Sequence, residues 1–145
     1  MTGVTGPTGP TVTANNARLV NSGIETVPSN APVTLDNALI NGSAIQHTNN
    51  STTVRLAPNQ TYFASYETTA SSPTGATANL GAALALNGIP ISGSATNGVV
   101  TAGNSVSLSS SAVFSTSAGT NLTLINSTGV AENFSGTVLN IIKLA

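Results

Sequence analysis

Apolar residues fall at every second position in one short segment after another, and that period limits what the chain can become. In "TYFASYETTA", Tyr62, Ala64 and Tyr66 share one side while Phe63, Ser65 and Glu67 share the other. Successive side chains on a β-strand point to opposite faces, so this pattern predicts a half-buried strand. The same alternation places Thr52, Val54 and Leu56 on one face of "STTVRLA", and Leu80, Ala82, Leu84 and Leu86 on one face of "NLGAALALNG". It recurs with Val106, Leu108, Ala112 and Phe114 in "SVSLSSSAVFS", and with Leu122 and Leu124 in "NLTLINS". Gly, Pro, Asn and Ser clusters punctuate these runs: "APNQ", "SSPTGA", "NGIP", "ATNG", "SAGTN" and "NSTG" are read as turns. Many short strands at regular spacing predict an all-β jelly-roll sandwich. The one helical hint, "LDNALINGSA" with Asp36 as a cap, is closed by Asn41-Gly42 and is read as a loop or short strand.

The last segment, "GTVLNIIKLA", breaks the alternation. Val138, Ile142 and Leu144 lie on one face, and Leu139 and Ile141 on the other. A strand that is apolar on both faces belongs in a sheet covered on both sides. A single sandwich covers only one side, so the second cover is expected from another subunit. The sequence ends on this strand at Ala145, and the terminus is expected to join the core.

Composition narrows the partners. The chain has 145 residues, the size of one domain with a real core. Charged residues make up 5%, and the three Lys+Arg and four Asp+Glu leave a net charge of -1. Neutralising a nucleic-acid backbone takes several cations, as does binding an anionic membrane, so neither partner is expected. No stretch is long and apolar enough for insertion into a bilayer. With no cysteine there is no disulfide frame and no thiolate chemistry.

At the other end, Gly3-Val-Thr, Gly6-Pro-Thr and Gly9-Pro-Thr keep a strict three-residue glycine period until Val12 stands where glycine is due. A collagen triple helix needs glycine at every third place because nothing else fits at its axis. Residues 1–11 are therefore read as the end of a collagen-like stalk, and residues 12–145 as a β-jelly-roll head. Three triplets are too few to hold a triple helix alone.

Four features in this order resemble one family: the "GPTGPT" triplets, "TVRLAPNQTYFASYET", "ALALNGIPISGS" and the closing "IIKLA" strand. They are similar to the C-terminal heads of the BclA-like collagen-like glycoproteins of the bacterial spore surface, the exosporium. Where that family usually has Gly before its "TY" pair, Asn59-Gln60 stands here; Asn also tolerates left-handed backbone, which preserves the turn. The resemblance implies a tumour necrosis factor-like or complement-head-like jelly roll that assembles as a homotrimer. It also implies display at filament tips, with anchoring to a spore-surface protein through the region N-terminal to the head. A trimeric head would align three chains and set the register of their triple helix. The outward Y-position residues Thr5, Thr8 and Thr11 become the favoured sugar acceptors, ahead of the N-x-S/T sequons "NGS", "NNS", "NST", "NQT", "NLT" and "NFS".

Residue chemistry adds no reaction. His47 is the sole histidine and has no ligand or carboxylate partner at a useful spacing. Glu25, Asp36, Glu67 and Glu132 are scattered, and Arg18, Arg55 and Lys143 are isolated cations. No G-x-S-x-G elbow or phosphate-cradling glycine loop occurs. No catalytic, cofactor-binding or metal residue is assigned, no cofactor is expected, and the chain is read as not an enzyme. Two other functions fit the same features: an adhesin or lectin-like head that binds a host or surface ligand through loops such as "ATNG" and "SSPTGA", and a phage fibre tip.

Overall fold

The computed structural model describes Gly3 and residues 14–145. The collagen-like stretch, with Thr5, Thr8 and Thr11, otherwise lies outside the described residues. Among the described residues there is no helix. Eleven strands follow in order: β1 (Asn16–Val27), β2 (Asp36–Asn41), β3 (Ile45–Gln46), β4 (Val54–Leu56), β5 (Thr61–Ser71), β6 (Ala78–Leu86), β7 (Ile89–Pro90), β8 (Thr96–Val100), β9 (Ser105–Ser115), β10 (Thr120–Asn126) and β11 (Glu132–Lys143).

Two antiparallel sheets face each other. One runs β2-β1-β11-β5-β9; the other runs β3-β4-β10-β6-β7, with β8 also on β6. β5 and β9 pair without interruption from Thr61↔Ser115 to Ser71↔Ser105. β11, the doubly apolar segment, is the central strand of the first sheet, between β1 and β5. The expected strands of "TYFASYETTA", "NLGAALALNG", "SVSLSSSAVFS" and "NLTLINS" are β5, β6, β9 and β10. "LDNALINGSA" supplies the short strand β2.

The alternation predicted the core side correctly for β4, β5, β6, β9 and β10, and in β11, whose two apolar faces left the side open, the structure turns Leu139 and Ile141 inward. Tyr62, Ala64, Tyr66, Leu108, Leu139 and Ile141 point inward from the first sheet and meet Val54, Leu56, Leu80, Leu84, Leu122 and Leu124 from the second, all essentially fully buried. Each such Leu or Ile contributes roughly 1.5–3 kcal/mol by leaving water. Tyr62 stacks on Phe114, with ring centroids 6.0 Å apart. Both tyrosine hydroxyls find acceptors, as buried polar groups must. Tyr62 donates toward the carbonyls of Ala44 and Ala57 at 3.2 and 3.3 Å, and Tyr66 donates to those of Ala82 and Ser94 at 3.0 and 2.7 Å. Burial pushes both phenols above their usual pKa. Tyr66→Phe leaves two buried carbonyls short of a donor, so it is expected to cost about 1–2 kcal/mol in urea unfolding at fixed protein concentration.

Two expectations are corrected and one strand was missed. "ATNG" is no turn: Thr96–Gly98 is paired strand, with Asn97 opposite Gly81 and Gly98 opposite Leu80. Gly98 is there for close approach, since a Cβ would come within 2.9 Å of Val106 Cγ2. β1 has no counterpart in the alternation. Its pairing with β11 shifts register between Asn21 and Ile24, where Asn21 Oδ1 accepts from the Gly23 amide. On the partner strand Gly136 takes a left-handed φ of 59°. Finally, Leu144 and Ala145 are exposed in the single chain, although their backbones bond to Thr61. Asn59 does adopt φ 56°, as the turn before the "TY" pair requires.

Candidate assembly face on the five-stranded sheet

Side chains that do not enter the sandwich emerge on the far side of the β2-β1-β11-β5-β9 sheet, and the ladders arrange them in rows. The first row is Asn16, Ile142, Phe63 and Val113, from β1, β11, β5 and β9. The second is Leu39, Arg18, Asn140, Ser65 and Ser111. The third is Val20, Val138, Glu67 and Ser109. In the single chain Ile142 is 45% exposed, Leu39 49% and Val113 63%, so one end of this face is an uncovered apolar patch. Leu39, Phe63 and Ile142 line a shallow concavity of about 440 Å³ there. An adjoining one of about 530 Å³ is lined by Arg18, Phe63, Glu67 and Val138, with hydroxyls from β5 and β9 around them.

Beyond the apolar patch, Val20 and Val138 share the face with polar side chains that have no partner. Among the described residues, the side chains of Arg18, Glu67, Ser65, Ser111 and Asn140 make no hydrogen bond or ion pair. The serines of "SLSSS" that alternate outward, read from the sequence as a hydroxyl-lined strand, are the exposed edge of this belt.

His47, Glu25 and Asp36 are occupied elsewhere. His47 sits between Asn37 Oδ1 at 2.5 Å from Nδ1 and the Ser51 carbonyl at 2.9 Å from Nε2, which ties the loop after β3 to β2. Glu25 accepts from the Thr34 amide, the Thr34 hydroxyl and the Asn21 side chain. Asp36 accepts from the Asn50 amide. Among the described residues no three His, Cys, Asp or Glu come together as metal ligands. Asn126, the acceptor of the "NST" sequon that follows β10, is fully buried and donates to the carbonyls of Val27 and Val130.

Sequence reading missed Glu132. It lies at the start of β11 opposite Val27, is fully buried, and accepts through Oε1 from the Gly81 amide. Its Oε2 has no hydrogen-bond partner among the described residues. Burial raises its carboxyl to about 7, against the pull of the Gly81 amide toward the ionised form. Nothing local in "GVAENFS" signals this; the burial comes from packing β11 under β6.

No family model matches the sequence, and no curated protein matches it either. Solved structures do match in fold. The globular domain of zebrafish complement 1qA protein superposes with a TM-score of 0.70 at 13% identity, over 91% of this chain and 98% of that one. Murine APRIL gives 0.69 at 18% identity, over 90% and 99%. Eiger TNF from S. frugiperda gives 0.67 at 15% identity, over 92% and 94%. The chain therefore has the jelly-roll fold of the tumour necrosis factor and complement heads, spanning nearly the whole of each.

Proposed function

We propose that this chain is the non-enzymatic head of a homotrimer that caps a collagen-like filament on the surface of a bacterial spore. In this reading the head gathers three chains, sets their register for the stalk and forms the outer contact surface. The observation that carries it is the uncovered patch of Leu39, Phe63, Val113 and Ile142 on the β2-β1-β11-β5-β9 sheet. Exposed apolar patches of this kind mark interaction surfaces in soluble proteins. A second copy is the occupant because the G-X-Y triplets at the N-terminus require three chains side by side. The spore surface rests on the likeness of "GPTGPT", "TVRLAPNQTYFASYET" and "ALALNGIPISGS" to the exosporium family. Hydroxyl-rich, nearly uncharged surfaces and paired or scattered carboxylates favour a structural role over catalysis.

The test joins the head to a longer G-X-Y stalk and follows triple-helix refolding by circular dichroism. With the head attached, refolding is expected to lose its dependence on chain concentration, because the three chains are already together. Equal concentration dependence with and without the head would contradict the role. Immunogold labelling of spores with antibody to the head tests the location, with label on the outermost layer expected and label elsewhere counting against it.

A further inference from the structure

We propose that Arg18 of one copy pairs with Glu67 of the next across the assembly face, and that this pair fixes how the copies dock; the inference rests on the homotrimer reading above. Of the chain's four acids, Glu25 and Asp36 are held by hydrogen bonds and Glu132 is buried on the Gly81 amide. Glu67 alone among them has no partner. Of the three cations, Arg55 lies outward on β4 in the other sheet and Lys143 ends β11, so Arg18 is the one within the rows of this face. Both residues are exposed and both line the 530 Å³ concavity, yet they do not meet. β11 stands between their strands, and two inter-strand steps of about 4.8 Å separate them, with a stagger along the strands as well.

A closed ring uses a head-to-tail interface, in which one flank of the face meets the opposite flank of the next copy. Arg18 belongs to the β1–β2 flank and Glu67 to the β5–β9 flank. Opposite charges on opposite flanks are therefore complementary between copies. Ser65, Ser109, Ser111 and Asn140 surround them with acceptors for the guanidinium donors left over from the carboxylate. Docking of the apolar row that borders Arg18 excludes water from that side of the pair, which makes the loss of one partner costly and the match selective.

The test uses the full chain in four forms: unsubstituted, Arg18→Glu, Glu67→Arg and both together. Circular dichroism confirms folding, which substitutions at exposed sites leave intact. Light scattering over a dilution series then gives the concentration at which the assembly falls apart. Each single reversal places like charges together, so that midpoint is expected to rise about tenfold or more, and the double reversal to restore most of it. A trimeric unsubstituted chain whose single reversals dissociate at the same concentration would overturn the pair and leave the trimer standing. So would a double reversal no better than the singles. An unsubstituted chain that is monomeric throughout would overturn the trimer and the pair together.

Discussion

Ile141→Asp is expected to prevent folding, whereas Ile142→Asp, one residue further on, leaves a soluble, strand-rich monomer. The two side chains leave β11 in opposite directions. Ile141 is 0% exposed and lies in the sandwich core with Leu139 and Tyr66. An aspartate there is an uncompensated buried charge, costing about 3–5 kcal/mol. The lost isoleucine burial adds roughly 1.5–3 kcal/mol. Together these consume most of the about 5–15 kcal/mol that holds a domain folded. Ile142 is 45% exposed in the single chain, so a carboxylate there keeps its water until a second copy covers it. The penalty then falls on assembly. Size exclusion and circular dichroism on both variants read the difference. Two variants that remain trimeric with unchanged melting would remove β11 from both roles, and an Ile142 variant that fails to fold would mean that its face is not free.

The second large effect is in pH. The carboxyl of Glu132 is raised from 4.5 to about 7 in the folded chain, so between those values the folded state holds a proton that the unfolded state has lost. Stability therefore falls as pH rises from about 4.5 to about 7 and levels off above it, once both states are ionised. The whole decline amounts to about 3 kcal/mol at most. Glu132→Gln keeps an acceptor for the Gly81 amide and cannot ionise. It is expected to lose this decline with pH and to be the more stable form at pH 8. Urea midpoints for both proteins at pH 5 and pH 8, at one protein concentration, check this; since His47 is present in both, the difference between them isolates Glu132. A substituted chain that keeps the full pH slope would assign it elsewhere.

The sequence revealed its core more readily than its topology. Tyr62, Ala64 and Tyr66 could be assigned inward and Phe63, Ser65 and Glu67 outward from alternation alone, because each strand buries one face and leaves the other open. That assignment already held the β5 residues of the assembly face. The rest depended on partners distant in the chain. β1 was unreadable because Asn21-Ser22-Gly23 breaks the period where its ladder with β11 shifts register. "ATNG" was misread because glycine has two uses, turning a chain and admitting a close neighbour; at Gly98 the neighbour is Val106. Arg18 and Glu67 looked like isolated charges because what relates them is strand order, β1-β11-β5, which no local pattern encodes. Glu132 was hidden for the same reason: its burial is a property of two sheets closing, not of its own segment.

In the proposed trimer the outer face of the five-stranded sheet holds three chains together, without help from the stalk. Light scattering of the 14.3 kDa chain, with and without residues 1–11, tests it most directly. Both forms are expected at three times the chain mass at micromolar concentration, with a melting temperature that rises with protein concentration as mass action demands. A single-chain mass for the form without residues 1–11, with melting independent of concentration, would mean that the head does not trimerise on its own.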